Sequence, residues 1–319
     1  MRAVLNDLLG SRLAPPEVID LMVRRWRSEM KLLAIVHSID RIENVKALDP
    51  LIVRTKAVVD KLVRPQWLRD VLHGVPIGHP VHPLGAQLPI GAWASAAVLD
   101  ALPGNSRASS ILVGVGVMGA LPTAVAGFTD WSELHEQQQR VGIVHAAANI
   151  GATGLYIASL AQRARGRHAS GKALGYAGFA VVAAAGFLGG HLAYRQAAGA
   201  NHTEDVPHRF KPGWQRLAAL EEFAEGQLEH RMVGETALLV FREGKSVNVL
   251  SDVCSHLSGP LHDGELTGGD NPCVVCPWHA SQFSLRSGEV VHGPATAAQP
   301  RFDTRVIDGI VEISLPGAG

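Results

Sequence analysis

CSHLSGPLHDGEL at residues 254–266 and CVVCPWHASQFSL at residues 273–285 decide how this chain is read. Each run offers one thiol and one imidazole from nearly adjacent positions. The first has Cys254-Ser255-His256, the second Cys276-Pro277-Trp278-His279, with nineteen residues between His256 and Cys276. Pro and Gly flank both, so each reads as a loop, and two such loops can clasp one metal centre between them. Zinc also takes two Cys and two His, but its structural sites usually draw Cys from one element and His from another, whereas each loop here mixes them. Cys273 lies in the apolar run Val274-Val275 and reads as a buried strand residue, not a fifth donor. Three clustered cysteines are also poor material for a disulfide framework.

Around these loops the pattern is of short β-type runs. Ala237–Arg242, Ser246–Leu250, Cys273–Val275 and Val306–Leu315 are separated by turn signals such as Glu243-Gly244 and Asp308-Gly309. This predicts a small all-β domain over residues 214–319. The polar segment 196–213, with Pro207 and Pro212, reads as a linker.

Upstream the composition changes. Apolar residues make up 47% of the chain and charged residues only 18%, more apolar than an ordinary soluble protein. Four stretches carry that excess: Leu84–Leu102, Ile111–Phe128, Val141–Ala161 and Ala173–Tyr194. Each is about long enough to cross a hydrocarbon layer of roughly 30 Å at 1.5 Å per residue. Gly171/Gly175 and Gly186/Gly190 have the four-residue spacing that lets helix backbones approach closely. The expectation is a four-helix membrane domain over 71–195. Before it, residues 1–70 carry helically spaced apolar positions, among them Val18, Leu21, Met22, Val53, Val58, Val59 and Leu62, as amphipathic helices do. The fold class expected is therefore α + β multidomain, a four-helix transmembrane bundle followed by a small all-β domain.

Lys plus Arg equal Asp plus Glu at 29 each, and no basic-aromatic run stands out, so nucleic acid is not expected as a partner. Membrane lipid is. No cleavable signal pattern opens the chain, which places the charged N-terminal segment in the cytoplasm at a cell (inner) membrane crossed several times. Basic residues near the spans divide almost evenly between the two faces and do not set orientation. With four crossings, His79, His82, His145 and His191 share the face from which the β domain leaves. That grouping invites a second redox site, a bis-imidazole haem b, a quinone pocket or a metal, against the alternative that these imidazoles bond to helix ends. Asp130, Trp131 and His135, in the loop between the second and third spans, lie on that face too.

On the two loops quoted first, residues 214–316 resemble the Rieske family. The resemblance implies a 2Fe-2S cluster with Cys254 and Cys276 on one iron and His256 and His279 on the other. Such a ligand set gives potentials of about −150 to +300 mV. Respiratory-complex members add a Cys to each loop to form a disulfide, and here Ser258-Gly259 and Trp278 occupy those regions, so the ferredoxin type is implied. Ser281 matches a position whose hydroxyl lies near the cluster, whereas Phe283 stands where high-potential members have Tyr, which lowers the expected potential. Ala280 replaces the usual Gly after the second His ligand. GHPVHPLGAQLPIGAW at 78–93 resembles a bacterial four-helix membrane family of unknown biochemical function, often joined to a Rieske module.

The function expected is a membrane-anchored one-electron carrier, a component of an oxidoreductase system and not a complete enzyme, exchanging electrons with a redox partner protein or quinone. The alternative is an iron-sulfur redox sensor acting on the helices. A terminal oxygenase needs a large catalytic domain with a mononuclear iron, and only 40 residues follow His279.

Overall fold

The computed structural model describes residues 39–317. The chain divides into two units between Val45 and Lys46, and every element below lies in the second. Val18, Leu21 and Met22 fall outside the described residues.

Helix α1 (Asp49–Leu62) opens with Asp49 and Pro50, residues suited to a first turn because one favours the helix dipole and the other lacks a donor there. Helix α2 (Gln66–His73) stops at Gly74, whose φ of 93° needs glycine; a Cβ there would lie 1.8 Å from the His79 carbonyl. Four long helices follow: α3 (Val81–Ala101), α4 (Ser106–Ser132), α5 (Glu136–Ala164) and α6 (His168–Tyr194). Each contains nearly all of one predicted apolar stretch.

Among the described residues, α4, α5 and α6 are long and apolar enough to cross a membrane, at 27, 29 and 27 residues. Helix α3 has 21 residues and includes His82, Gln87, Pro89 and Asp100, which dilute its hydropathy. Large apolar side chains face outward, Met118 being 69% and Ile150 60% exposed, as expected of helices solvated by lipid.

One apolar cluster draws on all four long helices. Trp93 of α3 stacks on Tyr156 of α5 at 4.2 Å, and Val113 (α4), Ala152 (α5) and Val182 (α6) pack around them. Gly116 makes room, since a Cβ there would fall 2.2 Å from Trp93 Nε1. At one end a buried ion pair joins α3 to α5, with Arg163 Nη1 donating to Asp100 Oδ1 at 3.0 Å and to Ser109 Oγ at 3.1 Å. Gly171 and Gly175 of α6 close on this pair, as their spacing predicts. Gly186 has nothing within 4 Å of an added Cβ, and Gly190 meets only Tyr194 of its own helix, so the second glycine pair brings no helix close.

The segment read as a linker contains a short helix, α7 (Val206–Arg209), and Val206 and Phe210 are buried in the β core, Phe210 against Phe302 at 4.8 Å. Ten strands follow: β1 (Gln215–Ala219), β2 (Leu228–Val233), β3 (Thr236–Glu243), β4 (Ser246–Ser251), β5 (Glu265–Thr267), β6 (Cys273–Val275), β7 (Gln282–Ser284), β8 (Val290–His292), β9 (Arg301–Ile307) and β10 (Ile310–Ser314). They form a six-stranded sheet, β1-β10-β9-β4-β3-β2, and a four-stranded sheet, β5-β6-β7-β8, with every named pair antiparallel. Asp308 and Gly309, both at positive φ, make the tight β9–β10 turn that the Asp-Gly pair signals. Leu239, Leu250, Leu261, Val274, Phe283 and Leu285 form a core that also encloses Cys254 and Cys276.

Candidate metal centre

The first loop leaves β4 and returns to the 3-10 turn Leu261–Asp263; the second joins β6 to β7. They are folded alike. Cys254 N donates to Gly259 O at 2.8 Å and Ser258 N to Cys254 O at 2.9 Å; Cys276 N donates to Ser281 O at 2.8 Å and Ala280 N to Cys276 O at 3.0 Å. In each, the residue four after the cysteine has positive φ, 65° at Ser258 and 57° at Ala280. Ala280 thus adopts the left-handed backbone that glycine enters without strain, at a cost of about 1–2 kcal/mol for a residue with a Cβ.

The loops meet face to face. A Cβ on Gly259 would lie 2.8 Å from Cys276 Sγ and 3.1 Å from Trp278 Cγ, so only glycine fits this approach. The rings of His256 and His279 are 5.1 Å apart and perpendicular. The two thiols lie buried side by side, and each acts on the other: the Cys276 thiol and burial push Cys254 up, while the Cys254 thiol draws Cys276 down to about 6, with the backbone N–H groups of Trp278 and His279 also favouring the Cys276 thiolate. Burial lowers His256 to about 3 and, with help from His135, lowers His279 to about 4. Both imidazoles are therefore neutral at pH 7, the form that donates to a metal. His256 Nδ1 is buried without a hydrogen-bond partner, an arrangement that usually costs about 1–3 kcal/mol unless something else takes the lone pair. A donor set of two thiols and two neutral imidazoles, one with an orphaned nitrogen, suits an iron-sulfur centre.

Several supporting residues carry no sequence motif. Gln299, 2% exposed, accepts from Ser255 N at 3.0 Å and donates to Val253 O at 2.8 Å, pinning the first loop to the approach to β9. Asp252 receives Leu261 N on its backbone carbonyl and His262 N on its carboxylate, closing the same loop from below. From the former linker, His202 N donates to Ser255 O at 3.0 Å. Of the residues flagged around the ligands, Ser281 is fully buried and its hydroxyl accepts from Ala295 N at 3.0 Å, Phe283 is fully buried, and Trp278 is 49% exposed.

The helices approach this centre directly. His135, predicted in a loop, is the N-cap of α5, and its ring is 5.4 Å from both Trp278 and His279. Asp70 of α2 accepts Gly293 N at 3.0 Å and pairs with His292 Nδ1 at 2.8 Å, while His73 and Val75 pack within 3.3 Å of where a Gly293 Cβ would be. Buried His73 pairs with Asp130 at 2.7 Å, and Trp131 donates to Gln139 O at 2.9 Å. A cleft of about 680 Å³ remains beside His279, lined by Arg64, Gln66, Arg69 and Glu133 on one side and by Cys276–Ala280 with Gly293 and Pro294 on the other.

The four histidines expected to cluster divide. His82 and His145 lie 6.2 Å apart, but each directs Nδ1 to a backbone carbonyl, Thr123 O at 3.0 Å and Ala185 O at 2.8 Å. His191 is buried in α6, and His79 is exposed in the turn before α3. These are the helix-backbone bonds of the structural alternative, and they lend haem or quinone no support.

A two-sheet antiparallel module whose twin loops face two thiols with two imidazoles has the form of a Rieske-type iron-sulfur protein. Residues 213–303 match the Rieske [2Fe-2S] domain model, and residues 78–202 match the family described as Predicted membrane protein (DUF2231). The anthranilate 1,2-dioxygenase ferredoxin subunit of Burkholderia cepacia is 32% identical over 102 residues, which are 32% of this chain and 92% of that protein. The 3-phenylpropionate/cinnamic acid dioxygenase ferredoxin subunit of Escherichia coli is 32% identical over 81 residues, 25% of this chain and 74% of that protein. This chain belongs to the Rieske [2Fe-2S] family, whose domain implies a 2Fe-2S cluster, and carries a predicted membrane domain ahead of it. It also matches the oxygenase component of 3-ketosteroid-9-alpha-monooxygenase from Rhodococcus rhodochrous, 36% identical over 75 residues, 23% of this chain but only 18% of that protein's length. Among solved structures, the ferredoxin of carbazole 1,9a-dioxygenase from Nocardioides aromaticivorans aligns at 24% identity and a TM-score of 0.30, over 32% of this chain and 97% of its own.

Proposed function

We propose that this protein is a membrane-held Rieske ferredoxin that passes single electrons to or from a redox partner protein. The observation that carries this reading is the convergence of two thiols and two neutral imidazoles between twin loops, with His256 Nδ1 left unpaired. In this reading Cys254 and Cys276 hold one iron, and His256 and His279 the other. The cluster, when bound, supplies a one-electron couple. Ser281 organises the second loop through Ala295 N, Phe283 packs beneath it without offering a hydroxyl, and Trp278 covers it from outside. Only the neutral imidazoles of His256 and His279 can donate, and burial keeps them so.

Two of the relatives named above, each matched over most of its length, are ferredoxin subunits of dioxygenases, which favours an electron carrier within an oxygenase-type system and lends the sensor alternative no support. The cleft beside His279, with Trp278 at its rim, offers a partner a short approach. The same reading has α3 to α6 all crossing the membrane, a membrane domain over 71–195, a connection over 196–213 and the redox module over 214–319 on the cytoplasmic side. Four crossings return the chain to the face it entered from, which agrees with α2 and His135 touching the β module.

Electron paramagnetic resonance of the anaerobically purified, reduced protein tests this. A rhombic signal with an average g value below that of the free electron is expected, and a silent sample with intact protein overturns the proposal.

A further inference from the structure

His230 of β2, Asp252 just after β4 and His262 in the following 3-10 turn converge at the foot of the first loop. Asp252 is 3% exposed, and its Oδ2 meets His230 Nδ1 at 2.7 Å and His262 Nδ1 at 2.6 Å. The two rings are 4.8 Å apart, and the three donor atoms lie within 4.8 Å of one another. Asp252 Oδ1 is fixed separately by His262 N at 2.8 Å, so the carboxylate is aimed before any ligand arrives.

Two imidazoles converging on one carboxylate oxygen form an uncommon contact. In this arrangement each ring donates its Nδ1–H to the same oxygen and turns Nε2 outward. Asp263 lies 3.5 Å from His262 Nε2, a second carboxylate able to accept a hydrogen bond from that nitrogen once it carries the proton. Moving each ring proton from Nδ1 to Nε2 frees two nitrogen donors beside a carboxylate, a set that suits zinc and neighbouring divalent transition ions. Ligand atoms at about 2.0–2.1 Å from a tetrahedral ion stand about 3.3 Å apart, so the rings need to withdraw by roughly 0.6–0.7 Å. Side-chain exposures of 41% for His230 and 31% for His262 leave room for that movement and a path for the ion.

We infer that His230, Asp252 and His262 form a binding site for a divalent transition-metal ion, zinc by preference, separate from the two cysteine-bearing loops. Bound there, the ion ties β2 to both ends of the loop from Val253 to Pro260, which already pair across its base. The inference does not depend on what the cysteines hold.

The test uses the full-length detergent-solubilised protein with its native iron content verified before and after exposure to zinc chloride. Equilibrium dialysis followed by elemental analysis should find one more zinc per chain in the wild type than in His230→Ala or His262→Gln, at unchanged iron. Cobalt chloride should give the visible absorption of a tetrahedral cobalt site in the wild type alone. Should His262→Gln release iron, His230→Ala decides, because β2 lies outside the loop. Equal zinc uptake by the wild type and His230→Ala overturns the inference.

Discussion

His135, at the N-terminus of α5, places its imidazole 5.4 Å from that of His279, so a helix of the membrane domain touches one of the four side chains at the proposed metal centre. The α5 cap holds it there, with Gln138 Oε1 accepting from His135 N at 2.9 Å. Truncating His135 to Ala admits water beside His279 without touching a proposed ligand. Water stabilises the extra negative charge of a reduced cluster, so the midpoint potential should rise by about 30 mV, half of the 59 mV that a tenfold change represents for one electron. A redox titration of wild type and His135→Ala at equal iron content reads this; an unchanged potential removes the helix from any role at the centre.

Gly259 marks where the loops press together. Gly259→Ala drives a methyl to 2.8 Å from the buried Cys276 Sγ and to 3.1 Å from the Trp278 ring. Overpacking of this kind costs about 1–3 kcal/mol. The variant should lose a large share of its iron and melt several degrees lower by calorimetry, whereas the same change at Gly151 of α5, on ordinary helical backbone with nothing within 4 Å of its added Cβ, should retain its iron.

Ala280 is strained in the opposite sense. With φ at 57° it pays for a Cβ in the left-handed region, so Ala280→Gly should stabilise the module by about 0.5–1 kcal/mol after allowing for the entropy of glycine. Denaturant titration of the two proteins, compared at matched iron content, provides the number.

Acid should act through the two imidazoles. An unfolded histidine titrates near pH 6.5, whereas His256 and His279 are held down to about 3 and about 4 by burial. Their contribution to stability is complete above about pH 6.5 and is lost as pH falls through that value towards the folded ones, because the unfolded chain binds the protons first. Visible absorbance and near-ultraviolet circular dichroism followed from pH 7 to pH 3 should decline together across this window and stay flat from pH 7 to pH 8.

Much of this was legible in the sequence, and the reasons differ by region. Cys254, His256, Cys276 and His279 stood out because two short mixed motifs are rare, and the four apolar stretches stood out by length, becoming four long helices of which three, α4, α5 and α6, are long and apolar enough to cross a membrane. The turn at Asp308-Gly309 followed from local chemistry alone. Contacts distant in sequence were not legible. Asp70 reaches Gly293 across more than two hundred residues, and nothing in its amphipathic surroundings singles it out. Gln299 looks like any polar residue before a proline until the fold buries it beneath the first loop. His135 was visible as a candidate, but its partner was not. The bundle histidines misled for a physical reason: sharing one end of a helix set does not bring side chains together, and backbone carbonyls at Thr123 and Ala185 engage the two that do meet.

The most direct test of the account is the metal content of the anaerobically purified full-length chain. Iron and acid-labile sulfide at two of each per chain, both abolished by Cys276→Ser because oxygen is a poor ligand for this soft centre, are what twin cysteine–histidine loops predict. Zinc at those loops, with neither iron nor sulfide present in the wild type, contradicts it.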